Sequence, residues 1–151
     1  MVRWFTDTRM RILVAEDGFS LIEAQAERGN MPPLHVHHDE DEAFYVLEGR
    51  LSLHTPAGAV EVGAGEATLG PRGVPHTYRV ESESARWVVT TNGGGFARFV
   101  EATSVPAEGD GYAPPERMVS PEVLGAEAAA RGIEILGPPG LLPHRLEQAA
   151  S

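Results

Sequence analysis

The chain has 151 residues, no cysteine, no lysine among its 12 basic residues, and a formal net charge of −10. That length suits one domain with a core that needs no covalent staple, and the composition excludes disulfides, thiolate metal sites, cysteine nucleophiles and lysine Schiff bases. The acidic surface repels nucleic-acid phosphates and anionic lipid head groups; with no apolar run of roughly 18 residues and no apolar leader over Met1–Asp7, the chain is expected to be soluble and cytoplasmic, with no nucleic-acid or membrane partner.

From about Arg11 to Val100 the pattern predicts short strands separated by turns. Arg11 to Ala15 is an apolar run closed by Asp17-Gly18, and Phe19 to Arg28 alternates until Gly29-Asn30. Glu42 to Leu47 is rich in aromatic and β-branched residues and stops at Glu48-Gly49. Leu51 to His54 and Val60 to Val62 follow, each ended by Gly-containing turns. Thr77 to Val80, Arg86 to Thr91 and Phe96 to Val100 complete the series, with Asn92-Gly93-Gly94-Gly95 as the last break. Strands with turn signals every ~8 to 12 residues indicate an antiparallel all-β sandwich or barrel. No helical period is found up to Val100.

The character changes after residue 101. Residues 104–117 carry Pro106, Gly109, Gly111, Pro114 and Pro115, as a linker or wrapped arm would. Ser120-Pro121-Glu122 is a helix start, with Ser as N-cap, Pro at the first helical position and an acid in the first turn. The helix is predicted over about 120–131, with Val123, Leu124 and Ala128 on one face. Ile133 to Leu136 is an apolar run ended by Gly137-Pro138-Pro139-Gly140. The division expected is a barrel over 1–101, with its core at about 11–100, and a C-terminal arm over 102–151 packed on the barrel or on a partner subunit.

The chemistry concentrates between Gly29 and His76. In a strand, residues i and i+2 share a face, so His35 and His37 present both imidazoles on one side. Glu42 opens the next strand after the turn His38-Asp39-Glu40-Asp41, and a hairpin return brings its carboxylate beside them. Pro71-Arg72-Gly73-Val74-Pro75 can direct His76 to the same cavity. Three neutral imidazoles and one carboxylate suit a divalent first-row metal. Asp39, Glu40 and Asp41 are read as a solvated turn, with Asp41 as an alternative carboxylate ligand. His38 and His144 are read as surface residues, His54 receives no role, Arg72 is read as a solvated loop arginine, and Phe96 and Phe99 as core. By alternation Phe44 and Val46 point inward with Glu42, and Tyr78 and Val80 with His76.

These residues carry a resemblance. Gly29-x5-His35-x-His37-x4-Glu42-x6-Gly49 matches the first motif of the cupin superfamily at every specified position, and Gly65-x5-Pro71-x-Gly73-x2-His76 matches the second. Val80 stands where the second motif often ends in Asn, a position that is not a ligand. The 15 residues between the motifs resemble the short spacing of microbial cupins. The stretch around Pro32-Pro33-Leu34-His35-Val36-His37-His38 and Glu42-Ala43-Phe44-Tyr45 is most similar to the quercetin-dioxygenase-like monocupins.

The resemblance implies a jelly-roll barrel with His35, His37, Glu42 and His76 as ligands of one divalent transition metal: iron, manganese, nickel, copper or zinc. It further implies an oxygen-using dioxygenase acting on a small aromatic or enolic molecule, with Glu42 as the catalytic base. Phe44 and Tyr78 are candidate substrate contacts. A non-redox metal-assisted isomerase, cyclase or lyase, or a binding cupin without turnover, is the alternative. A homodimer is expected, as small cupin barrels commonly pair.

Overall fold

The computed structural model describes residues 1–116 and 118–144. Strands dominate, in the order β1 (Val2–Phe5), β2 (Thr8–Glu16), β3 (Phe19–Glu27), β4 (Pro33–His37), β5 (Glu42–Glu48), β6 (Arg50–Thr55), β7 (Gly58–Gly63), β8 (Ala67–Gly70), β9 (Thr77–Val80) and β10 (Ser84–Thr91). Helix α1 (Gly95–Thr103), the short β11 (Val105–Pro106), helix α2 (Pro121–Ala129) and β12 (Ile133–Pro139) follow. Among the described residues, no helix is long and apolar enough to cross a membrane.

The fold is the expected all-β antiparallel jelly roll. One sheet runs β11-β1-β2-β3-β10-β5-β8, and all its pairs are antiparallel. Opposite it lie β7-β6-β9 and β12-β4. An antiparallel bridge joins these two pieces at His35 and His76, whose backbones exchange both hydrogen bonds, at 3.2 and 2.9 Å. Two histidines 41 positions apart in sequence are thereby direct cross-strand neighbours.

Alternation decides what faces inward. On β5, Glu42, Phe44 and Val46 are buried; on β10, Ala85, Trp87, Val89 and Thr91 are; on β3, Ser20, Ile22, Ala24 and Ala26 are. These side chains meet Leu51, Leu53, Val62, Tyr78 and Val80 from the other sheet in one core. Gly49 turns β5 into β6 with φ of +79°, and a Cβ there would collide with Ser84 O. A left-handed, backbone-crowded position of this kind admits little except glycine.

The structure corrects one predicted element. Phe96 to Val100 is not a strand but part of α1. Phe96, Phe99, Val100 and Thr103 are buried at i, i+3, i+4 and i+7, the stripe of a helix laid on a core. A five-residue window hides that period, and the aromatic and β-branched content favours strand. α1 also runs through residues 101 and 102, the point where barrel was expected to give way to arm. Strands β1 and β8 and the first residues of β2 were not anticipated either.

Beyond α1 the chain lies on the barrel. Ser120 Oγ accepts the Val123 N–H at 3.2 Å and Pro121 occupies the first turn of α2, as the Ser-Pro-Glu start predicts. Ala128 of α2 and Ile133 of β12 are fully buried members of the same core, whereas Val123 is exposed. β12 pairs with β4 in the register Ile133↔His37 and Ile135↔His35. The arm thus adds a strand beside the one that carries both histidines. Residues 145–151 of the expected arm lie outside the described residues.

Candidate metal centre

His35 and His37 stand on one face of β4, Glu42 begins β5 and His76 directly precedes β9. One potential ligand atom from each lies within 4.8 Å of all the others. Glu42 Oε2 is 2.9 Å from His37 Nε2 and 3.1 Å from His76 Nε2, with all three side chains buried. The rings of His35 and His76 cross at 4.5 Å, and those of His37 and His76 stack at 5.5 Å. Asp41, the alternative ligand, is outside this cluster.

The donors are pre-set for a cation. Pro33 O can only accept, so His35 Nδ1, at 2.7 Å from it, carries a proton, whereas His76 faces an acceptor at each ring nitrogen, Val74 O at 3.3 Å from Nδ1 and Glu42 Oε2 at 3.1 Å from Nε2. In the neutral His35 ring Nε2 is then the lone-pair nitrogen, the arrangement seen around metals when an outer partner fixes the tautomer. His37 Nε2 makes no aligned hydrogen bond despite its 2.9 Å contact with Glu42. A carboxylate oxygen this close to two imidazole nitrogens is stabilised by positive charge, whether a ring proton or a shared cation. Glu42 Oε2 and the Nε2 atoms of His37 and His76 are close enough that all three could be held by one ion. The residues fit a divalent transition metal, and nitrogen-rich donors of this type suit iron, manganese, nickel, copper or zinc.

The titration behaviour of the cluster has identifiable causes. Burial, helped by the neighbouring His76 and His37, pushes the pKa of His35 down to about 3. Burial pushes His37 down too, but the facing Glu42 carboxylate outweighs it and holds His37 above its ordinary value. Burial raises the Glu42 carboxyl, yet His37 and His76 reverse this and hold it well below the usual carboxylate range.

In the turn between β4 and β5, Asp39 is exposed as expected, but Glu40 and Asp41 are not simply solvated. Glu40 is buried, and its carboxylate accepts the N–H groups of Gly95 at 2.8 Å and Phe96 at 3.1 Å. It caps α1, whose own N-cap position, Gly94, has no side chain to do so. Capping also seats Phe96, whose ring packs edge-on against His37 at 5.6 Å. A Cβ on Gly93 would come 2.5 Å from Glu40 Oε1, so glycine there makes room for the carboxylate. Asp41 accepts from the Arg72 backbone N–H at 2.9 Å, the Arg72 guanidinium at 3.2 Å and Asn92 Nδ2 at 3.0 Å. Arg72 is half-exposed but paired, and the Gly73 N–H donates to His37 O at 2.7 Å. The acidic turn therefore ties β4 and β5 to the loop before His76 and to α1. Glu40 was missed because nothing local to it distinguishes a helix cap 55 residues away from a surface acid.

The remaining histidines stand apart. His38 is exposed and meets Glu134 at 3.0 Å, His54 is half-buried against Ser52 Oγ at 2.8 Å, and His144 is exposed. Phe44 and Tyr78 line the cavity above the cluster, as do Phe96, Phe99 and Ile133. Phe44 packs edge-on to His76 at 6.1 Å, and burial pushes the Tyr78 hydroxyl well above its ordinary pKa. This cavity measures only about 40 Å³.

Residues 23–91 match the family model described as a cupin domain. Quercetin 2,3-dioxygenase of Bacillus subtilis (strain 168) is 33% identical over 123 residues, covering 80% of this chain and 36% of that protein. The chain thus spans about a third of the length of this curated relative. Among solved structures, the polyketide cyclase RemF from Streptomyces resistomycificus is 32% identical, with a TM-score of 0.51 over 57% of this chain and 65% of that one. An RmlC-like cupin from Shewanella frigidimarina has a TM-score of 0.56 over 62% of this chain and 83% of that one; at 15% identity it shows the fold alone.

Proposed function

The chain belongs to the cupin superfamily, and from that premise we propose that it is a metal-dependent dioxygenase of a small aromatic or enolic molecule. The observation that carries this reading is the convergence of His35, His37, Glu42 and His76 on one point beneath an apolar cavity. His35, His37 and His76 would hold the metal through imidazole nitrogen and Glu42 through its carboxylate. A divalent metal there supplies Lewis acidity and, where it is redox-active, electron transfer.

The chain's own residues have separate tasks. The carbonyl of Pro33 keeps Nε2 of His35 unprotonated, and that of Val74 orients the His76 ring. Glu42, held ionised, is the proton acceptor for a substrate hydroxyl. Its contacts to His37 and His76 keep it a weak base, so loosening them raises its basicity toward the value such transfer needs. Phe44, Tyr78 and Phe96 give the cavity apolar walls that limit water at the cluster. The 33% identity to a quercetin 2,3-dioxygenase supports the choice of oxygen chemistry.

The test is elemental analysis of protein purified without chelator, followed by oxygen uptake with flavonols and other enolic substrates after iron(II), manganese(II) or nickel(II) loading. Turnover that stops under argon is expected. Turnover that continues under argon, or with zinc alone, would overturn the oxygenase reading. It would favour a non-redox cyclase or lyase, the reading to which the 32% identity with a polyketide cyclase lends support. A homodimer is proposed alongside, and a monomer in sedimentation would exclude it.

A further inference from the structure

The outer faces of the two sheets differ in kind. In an antiparallel sandwich the outward side chains meet water, so alternation should leave them polar. The β7-β6-β9 sheet obeys this, with Glu61, Ser52 and Arg79 side by side on its outside. The larger sheet does not. One outward row runs Leu69, Ala43, Thr90, Leu21, Val14, each the register partner of the next, across β8, β5, β10, β3 and β2. Ala43 lies between the buried Glu42 and Phe44, which fixes the side of the row. The adjoining row sets Tyr45 between Ala67 and Val88. Leu69 is 53% exposed, Tyr45 47% and Phe19, at the start of β3, 45%. The arm reaches only one end of this face, where Arg9, the partner of Gln25, donates to Gly109 O and Gly111 O at 2.8 Å each.

We propose that two copies of the chain pair through this face, outer sheet against outer sheet about a two-fold axis. The inference rests on the homodimer proposed above and adds to it the surface that forms it.

Charge selects the occupant. The charged residues beside the apolar rows form one chain of ion pairs: Arg11 with Glu23 at 3.4 Å, Glu23 with Arg86 at 3.5 Å and Arg86 with Glu48 at 3.1 Å. Their charges cancel, so the net charge of −10 resides on the rest of the chain. Copies meeting through other surfaces bring like charge together; through this face they do not. The same neutrality offers nothing to a nucleic acid or an anionic membrane, and a basic partner is drawn to the acidic remainder instead. An apolar patch is also its own complement under a two-fold, as an isologous contact requires. Five strands about 4.8 Å apart make the face roughly 20 Å across. That is the small end of specific interfaces, so the dimer is expected to dissociate in the micromolar range.

The experiment is sedimentation velocity of the full chain from about 1 to 500 µM. Wild type is compared with Tyr45→Glu, Leu69→Glu and Arg86→Glu, and with Val60→Glu and Val123→Glu at exposed apolar positions on β7 and α2. Wild type and both controls should pass from monomer to dimer over this range. Tyr45→Glu and Leu69→Glu should weaken the dimer by about 30-fold or more. Arg86→Glu makes each face negative. It should weaken the dimer at about 0.05 M salt and recover, relative to wild type, at about 1 M, where charges are screened beyond about 3 Å. A lost packing contact would show no such recovery. Circular dichroism checks that each variant folds, and three separate positions keep the test decisive if one does not. A wild type that stays monomeric throughout overturns both this face and the homodimer reading. A dimer that survives Tyr45→Glu and Leu69→Glu, or that Val60→Glu or Val123→Glu disrupts as strongly, overturns the face and leaves the homodimer reading standing.

Discussion

The floor and the roof of the cavity are built on opposite terms. The floor is His35, His37, Glu42 and His76, carried on or next to regular strands and locked by the cross-strand bridge of His35 with His76. The roof is Phe96 and Phe99 of α1, Leu124 of α2 and Ile133 and Ile135 of β12, drawn from segments far along the chain. Floor residues hold their geometry through backbone ladders, β5 between β10 and β8, β9 against β6, and β4 against β12. Roof residues of α1 and α2 hold theirs through side-chain packing and one buried carboxylate, Glu40, while β12 shares its ladder with β4. The two groups of residues should therefore respond differently to substitution.

The largest expected effect strikes the floor. His37→Ala and His76→Ala should each weaken metal binding by more than about 100-fold, beyond the 10–100-fold usual for outer-sphere changes. The barrel should still fold, and elemental analysis with circular dichroism checks both. Equal metal content in variant and wild type would remove the proposed centre. Added zinc should raise the melting temperature of wild type but not of these variants, because only a native state that binds the ion gains from it.

Next comes the roof. Ile133→Ala deletes a fully buried side chain where β12 meets the core and should cost about 2–5 kcal/mol in urea unfolding. Zinc affinity of the folded fraction should stay close to wild type; a parallel loss would mean floor and roof are one unit.

Glu40→Ala tests the link between the two and should fall between them. It leaves the Gly95 and Phe96 N–H groups without their partner and frees Phe96 from His37. A loss of about 10–100-fold in zinc affinity is expected, as for residues that orient ligands. Glu40→Gln keeps an acceptor oxygen and should recover part of it, a rescue that a purely structural role would not produce in metal affinity. Gly93→Ala, which crowds the same carboxylate, should shift zinc affinity in the same direction by a smaller factor.

Much of the floor was legible in the sequence because its determinants are local. The i, i+2 spacing of His35 and His37 places them on one face whatever surrounds them, and glycines such as Gly49 mark turns by their own backbone requirement. The alternation that turned Phe44 and Tyr78 inward with Glu42 and His76 is equally local. Helix α2 was legible for the same reason: Ser120, Pro121 and Glu122 satisfy its first turn from within the segment.

What only the tertiary structure decided depends on partners distant in sequence. Phe96 to Val100 has strand-like composition, but Glu40 supplies the missing N-terminal cap and the core takes up the i, i+3, i+4 stripe, so the segment is helix. Glu40 and Asp41 look like a solvated acidic turn until α1, Arg72 and Asn92 are brought against them. Strand periodicity and turn chemistry act over a few residues and can be read in one dimension. A buried carboxylate that caps a remote helix, or an arm that narrows a cavity, exists only once the chain has closed on itself.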